Sequence, residues 1–141
     1  MEVCTNTWLG RCRLVAAALL LIASPTLSAE QSGNTSALQA HLGEVFQRSM
    51  AHWGYDYRGL PGHKAGVACV PWAGLTEAFL ENEIFGALGF SYSMADDAGA
   101  LNVATQGCQT MKSRKKMSGC ECATVLLGEE VVVTVPDVTG E

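Results

Sequence analysis

The chain has 141 residues, with 14 acidic side chains against 9 basic ones and a net charge of −5 at pH 7. This length accommodates one small domain. The acidic balance argues against nucleic acid and anionic membrane surfaces as main partners, because both select for clustered lysine and arginine.

The N-terminal segment has the three-part layout of a secretory signal peptide. Arg11 and Arg13 precede an apolar run from Leu14 to Ala23, and the small residue Ala29 follows a proline. The run is short for a membrane span, which needs about 20 residues. We therefore predict a signal peptide over 1–29, no membrane span after its cleavage, and a periplasmic or secreted protein.

Six cysteines lie on the two sides of that apolar run, with Cys4 and Cys12 before it. Cleavage would deliver the other four together to an oxidising compartment, where an even number argues for two disulfides. These four are Cys69, Cys108, Cys120 and Cys122.

The first half of the mature chain predicts one helix and two strands. Residues 30–35 are polar and predict a flexible tail. Apolar residues at steps of three and four predict a helix over about 36–53, ended by Gly54. A loop rich in glycine follows, then a strand over 64–72 that is rich in small and β-branched residues. Residues 74–83 fit a short helix or a loop, and 84–92 predicts a second strand.

The second half predicts a helix and a hairpin. Ser93 or Asp96 can cap a helix that ends in the basic run Lys112 to Lys116, which suits the helix dipole. Cys108 shares the apolar face of this helix and is predicted to be a core residue. Strands over 120–127 and 130–135 are joined by Gly128-Glu129, which suits a type II′ turn.

These elements predict an α+β domain over 36–135, with a small, mostly antiparallel sheet, two helices on one face and disulfide staples. The last residues, 136–141, are predicted to fray. Four cysteines allow three pairings. The predicted helix and strand positions favour Cys108–Cys120 as a helix-to-sheet bridge, which leaves Cys69–Cys122 as a strand-to-strand bridge.

The Cys-x-Cys pair Cys120 and Cys122 suggests two interpretations, because both sulfurs lie on one face of a predicted strand. One is a metal or thiol-redox site, helped by Cys108 or His63. The other is two ordinary disulfides. An oxidising compartment and the absence of C-x-x-C spacing favour the disulfides.

Four side chains are candidates for binding. Tyr55, Tyr57 and Trp72 surround one predicted loop region and would form a recognition patch if exposed, or pack in the core if buried. His63 lies at a strand entrance, where loops often carry function. The other histidines, His41 and His52, lie off the apolar helix face and are predicted to be solvated.

The stretch from Gly62 to Val133 resembles a loose group of small exported bacterial proteins of unknown function. The likeness rests on P-G-H-K-A before a strand, a glycine-rich strand, A-L-x-x-A-x-x-x-C in a helix, and a cysteine before a strand hairpin. The resemblance implies a unit stapled between Cys108 and Cys120, and it implies no activity.

The sequence therefore favours a non-catalytic binding module of the bacterial envelope, without a cofactor, whose partner is an unknown protein or cell-envelope ligand. The alternative is a metal-binding or thiol-redox protein that uses Cys120 and Cys122. An enzyme that uses His63 with an acidic partner has less support, because the sequence contains no nucleophile elbow, zinc-protease or phosphate-loop motif.

The signal peptide is predicted to be cleaved after Ala29. Mass spectrometry of the exported protein should find Glu30 as its first residue. An exported chain that still carries Met1 would contradict the signal-peptide assignment.

Overall fold

The computed structural model describes residues 28–137, with side chains from residue 33 onward. The predicted signal peptide, except for its last two residues, and the end of the predicted frayed tail lie outside this range. The helices are α1 (Ser28–His52), α2 (Glu77–Asn82) and α3 (Asp97–Arg114). The strands are β1 (His63–Val70), β2 (Leu88–Met94), β3 (Glu121–Leu127) and β4 (Glu130–Val131), and a 3-10 turn spans Trp72–Gly74.

The four strands form one antiparallel sheet in the order β2-β1-β3-β4. The predicted α+β class and antiparallel sheet are confirmed. The hairpin turn also has the predicted form, because Gly128 has a φ of +58° and Glu129 does not adopt a positive φ.

The helices cover both faces of the sheet, so the prediction of helices on one face is wrong. Phe46 and its neighbours on α1 pack with Val70 and Val125, whereas Ala104 of α3 packs with Val67 on the other side. The physical reason lies in β1, which is buried from Lys64 to Val70 without alternation. A short strand whose side chains are apolar on both faces is typically buried on both faces.

Two glycines permit this close packing. A Cβ atom at Gly66 would collide with the ring of Phe46, and one at Gly89 would collide with the carbonyl oxygen of Ala104 and the amide nitrogen of Cys108. The ring can move, but the backbone of α3 cannot without shifting the helix. Gly89 therefore sets how closely α3 approaches β2.

Helix α1 begins at Ser28, so the predicted flexible tail over 30–35 is wrong. The segment before the apolar face carries Ala29, Glu30 and Gln31, which are good helix formers and extend a helix that packing stabilises further along. Residues 33–37 of this extension are exposed.

Three further boundaries differ from the prediction. Residues 74–83 contain α2, whose N-cap Thr76 accepts a hydrogen bond from the amide of Phe79 at 3.1 Å. Strand β2 begins at Leu88, and before it the amide of Phe85 donates to the Ser49 hydroxyl at 2.9 Å. Strand β4 is only two residues long.

Helix α3 begins at its predicted cap Asp96, whose carboxylate accepts from the amide of Gly99 at 2.7 Å. It ends with Lys116 at a φ of +54°, and the amide of Met117 donates back to the carbonyl of Lys112 at 3.1 Å. This is the Schellman pattern, whose left-handed position favours glycine. The ammonium of Lys115 also donates to the carbonyl of Gly86 at 2.7 Å.

Across residues 28–137, no helix combines the length and apolar character that a membrane crossing requires.

Replacement of Gly89 by alanine should lower the free energy of unfolding by about 3 kcal/mol, because the added methyl meets helix backbone. The matched control is Gly119→Ala, where an added Cβ has nothing within 4 Å. Denaturant unfolding measures both variants. Equal stabilities for the two would contradict the packing of α3 on β2.

Replacement of Lys116 by glycine should raise the free energy of unfolding by about 1 kcal/mol, because the left-handed backbone strains an L side chain. Lys112→Gly, within the helix, should instead lower it by about 1 kcal/mol. Thermal melts of both proteins check the opposite signs, and a loss of stability in each would refute this description of the helix end.

Candidate binding surface

Three aromatic side chains form a row along strand β2, and two of them are exposed. Phe90 and Tyr92 share one face of the strand, and their rings lie nearly parallel with centroids 6.4 Å apart. Tyr55, from the loop after α1, lies against Phe90 at 4.8 Å. Tyr55 and Tyr92 are 47% and 48% exposed, whereas Phe90 is anchored against the core. We call Tyr55, Phe90 and Tyr92 the aromatic row.

The end of helix α1 fixes the position of Tyr55. Gly54 has a φ of +85°, its amide donates to the carbonyl of Ala51, and the amide of Tyr55 donates to the carbonyl of Met50 at 2.9 Å. This is again the Schellman pattern, here with the favoured glycine. The first member of the aromatic row is therefore held by backbone geometry.

The buried ammonium group of Lys64 holds the loop between α1 and β1. It donates to the carbonyls of Tyr57, Arg58 and Leu60 at 3.1, 3.0 and 2.9 Å, and it forms an ion pair with Glu129. A buried charge must be paired and hydrogen-bonded to be tolerated. These contacts join the loop to β1 and to the hairpin turn.

Tyr57 lies in the core and does not belong to an exposed patch, so its prediction as a binding residue is wrong. Its ring is fully buried, with the edge of Phe46 at a centroid distance of 5.5 Å, and its hydroxyl donates to the carbonyl of Gly128 at 3.0 Å. Burial, and secondarily the nearby charge of Glu129, raises the pKa of Tyr57 above its ordinary value. The hydroxyl therefore remains a neutral donor.

Strand β2 is an edge of the sheet, and none of its seven residues is charged. Within residues 28–137, its outer side has no strand partner. Natural sheets usually protect such an edge with charges, proline, a short strand or a β-bulge. Of these, β2 has only an irregularity near its end, where the register with β1 shifts between His63 and Ala65 and Ser93 has a φ of +53°. The opposite edge, β4, has this protection, because it spans two residues and begins with Glu130.

His63 pairs with Asp97 at the start of α3, Nδ1 to Oδ1 at 2.7 Å. The histidine and aspartate side chains are 53% and 58% exposed. An exposed pair of this kind is an ordinary surface interaction unless further groups join it. The predicted solvation of His41 and His52 is confirmed by their exposure.

The four cysteines in the described part of the chain form two disulfides, Cys69–Cys120 and Cys108–Cys122, so the predicted partners, including the bridge implied by the resemblance, are wrong. The Cys108–Cys122 bridge joins helix to sheet, as was predicted of one bridge, whereas Cys69–Cys120 joins β1 to the residue before β3. Cys120 and Cys122 have each other's predicted partner, because Cys120 lies just before the first residue of β3. Cys122 lies within β3 on the face that α3 covers. The predicted burial of Cys108 is confirmed.

These bonds also exclude the alternative metal site of Cys120, Cys122 and His63. Both cysteines are in disulfides, and His63 begins β1 while Cys69, the partner of Cys120, is near the end of that strand. Over the described part of the chain, no cluster of three or more histidine, cysteine, aspartate or glutamate side chains has a geometry for a metal ion.

Two adjoining clefts lie at the end of the sheet that carries Cys120. The first, of about 290 Å³, is mainly apolar, and we call it the disulfide cleft; it is lined by Cys69, Pro71, Phe79, Gly86, Met117, Ser118, Gly119 and Cys120. The second, of about 310 Å³, includes Trp72 and Pro136. His63 begins β1, whereas Trp72 follows the other end of that strand. The four predicted binding residues therefore do not form one patch.

Sequence reasoning missed Phe90 and Tyr92. The signal available was the alternation F-S-Y in a predicted strand, which places two aromatic rings on one face. What the alternation does not indicate is that this strand is an edge, or that the Tyr55 loop folds over it.

No protein-family model matches the chain, and neither does a curated protein or a solved structure. The resemblance to small exported proteins therefore stays a prediction.

Substitution of Lys64 by methionine should lower the free energy of unfolding by about 2 kcal/mol, because three carbonyls lose their shared donor. Glu129→Gln is the matched control and should cost less than about 1 kcal/mol, since that carboxylate is exposed. Urea unfolding measures both. A larger loss in the Glu129 variant would show that the ion pair, rather than the carbonyls, holds the loop.

Proposed function

We propose that the chain is a small, exported, non-catalytic binding module of the bacterial envelope, and that β2 with the aromatic row holds its partner. The observation that carries this proposal is a seven-residue, uncharged edge strand that bears the half-exposed Tyr92 and lies beside the half-exposed Tyr55. Two disulfides support export, because such bonds persist in oxidising compartments.

The partner is an extended polypeptide segment that adds to β2 as a fifth strand. In strand addition, main-chain hydrogen bonds supply affinity, and alternate side chains supply specificity. Within residues 28–137, the outer edge of β2 has no strand partner and offers its main-chain groups, except the amide of Leu88, which donates to Sδ of Met111 at 3.4 Å. The aromatic row offers a contact surface on one face. Tyrosine suits this role because it presents a large apolar ring and a polar tip.

The chemistry of the segment follows from the charges. Strand β2 contains no charged side chain, so it offers no ion pair to a charged partner strand. The chain as a whole is acidic, which disfavours an acidic segment. The fitting partner is uncharged along its paired length, with apolar or aromatic side chains on the face that meets Phe90 and Tyr92.

Site-specific photocrosslinking tests the proposal. A photoreactive phenylalanine at position 92 should form a covalent adduct with a partner polypeptide in the cells that produce the chain. The matched control is position 103, because Val103 on α3 is similarly exposed, at 43%. Equal adduct yields at the two positions, or none at position 92, would refute the assignment of the surface.

Substitutions then measure the contribution of the aromatic row. Tyr92→Lys should weaken binding of the captured segment by about 30-fold or more, since it places a charge where an apolar contact forms. Val103→Lys adds the same charge elsewhere and should leave the affinity unchanged. Isothermal titration with the synthetic segment gives both affinities, and equal values would argue against the row.

A further inference from the structure

Cys69 has two cysteines within bonding reach, although it is bonded to only one of them. We infer that Cys69, Cys120 and Cys122 form a thiol–disulfide exchange site, in which Cys122 can displace Cys120 from Cys69. This inference is independent of the proposed binding surface on β2.

The strand register supplies the geometry. Cys69 is bonded to Cys120, with Cα atoms 5.1 Å apart. It lies directly opposite Cys122 in the antiparallel pair of β1 and β3. Opposite residues in such a pair have Cα atoms about 4.5–5.5 Å apart, which falls within the range for a disulfide. The backbone therefore accommodates either bond without moving a strand.

The second disulfide holds the exchange site in its present pairing. Cys122 is bonded to Cys108 of α3, with Cα atoms 6.1 Å apart, so its sulfur is not free to react. Cys108 is fully buried, whereas Cys122 is half-buried on β3. An external thiol therefore reaches this bond from the Cys122 side.

The chemistry proceeds in two balanced steps. An external dithiol reduces Cys108–Cys122, giving its two electrons and two protons to the cysteines and becoming a disulfide itself. Deprotonated Cys122 then attacks Sγ of Cys69, the Cys69–Cys122 bond forms, the Cys69–Cys120 bond breaks, and Cys120 leaves as a thiolate. In the second step Cys122 is oxidised to a disulfide sulfur and Cys120 is reduced to a thiolate, so the step needs no further oxidant or reductant.

The released thiolate borders a cleft, although Cys120 itself is only 7% exposed. Cys120 lines the disulfide cleft, whose walls include Phe79 and Met117. A thiolate in this position can attack a disulfide of another molecule: a mixed disulfide with Cys120 forms, the substrate's S–S bond breaks, and its other sulfur leaves as a thiolate. Apolar walls favour a disulfide flanked by apolar side chains. The substrate class is therefore an apolar disulfide, and Cys120 is the nucleophile.

The test uses the full mature chain with Cys108→Ala, which leaves Cys122 without its partner. At pH 8 both pairings should form, and alkylation after acid quenching should find at least about a tenth of the free thiol on Cys120. Fragment mass spectra that cut at Glu121 distinguish the two cysteines. A free thiol confined to Cys122 would overturn the inference.

The matched control is Cys122→Ala, which frees Cys108 instead. Its free thiol should remain on Cys108 with Cys69–Cys120 intact, and rearrangement in this variant would also overturn the inference, since it would show unspecific exchange. If Cys108→Ala fails to fold, the native chain treated with limiting dithiothreitol gives the same readout. Free Cys108 and Cys120 with a Cys69–Cys122 bond support the site, whereas free Cys108 and Cys122 refute it.

Discussion

Strand β1 is buried on both faces and paired along both edges, and the positions of the other elements follow from this burial. This strand has helices above and below it and β2 and β3 beside it. Three residues of β1 each contact one neighbouring element. Lys64 holds the loop between α1 and β1, Gly66 leaves space for the ring of Phe46, and Cys69 forms a disulfide with Cys120. A small chain thereby obtains a two-sided core.

The same constraint determines which surface is left for binding. Because β1 is central, β2 and β4 become the edges, and only β2 is long and free of charge. The loop that Lys64 anchors returns Tyr55 to β2, where it covers Phe90. The aromatic row thus follows from how the core packs. Because its side chains are already held in place, the entropic cost of binding a partner is lower.

The sequence predicted the features that depend on neighbouring residues. The Asp96 cap and the buried Cys108 follow from helical spacing, and the Gly128 turn follows from the need for a positive φ. Local rules govern such features, so a single sequence reveals them.

The features that it did not predict depend on residues far apart in the chain. The cysteine partners depend on the position of Cys120 outside β3, and the burial of Tyr57 depends on Phe46 and the Gly128 carbonyl. Exposure of Tyr92 depends on β2 being an edge. Strand order has no local signature, and this is why the aromatic row was missed.

Amide hydrogen exchange shows whether a partner adds to the edge of β2 as a fifth strand. In the free chain, the outward amides of β2 have no strand partner within the described residues and should exchange quickly, except that of Leu88, which donates to Sδ of Met111 at 3.4 Å. When the captured partner is bound, alternate amides of β2 should become protected, because a fifth strand accepts their hydrogen bonds. Protection that arises at the disulfide cleft or along β4, with β2 unchanged, would contradict the account.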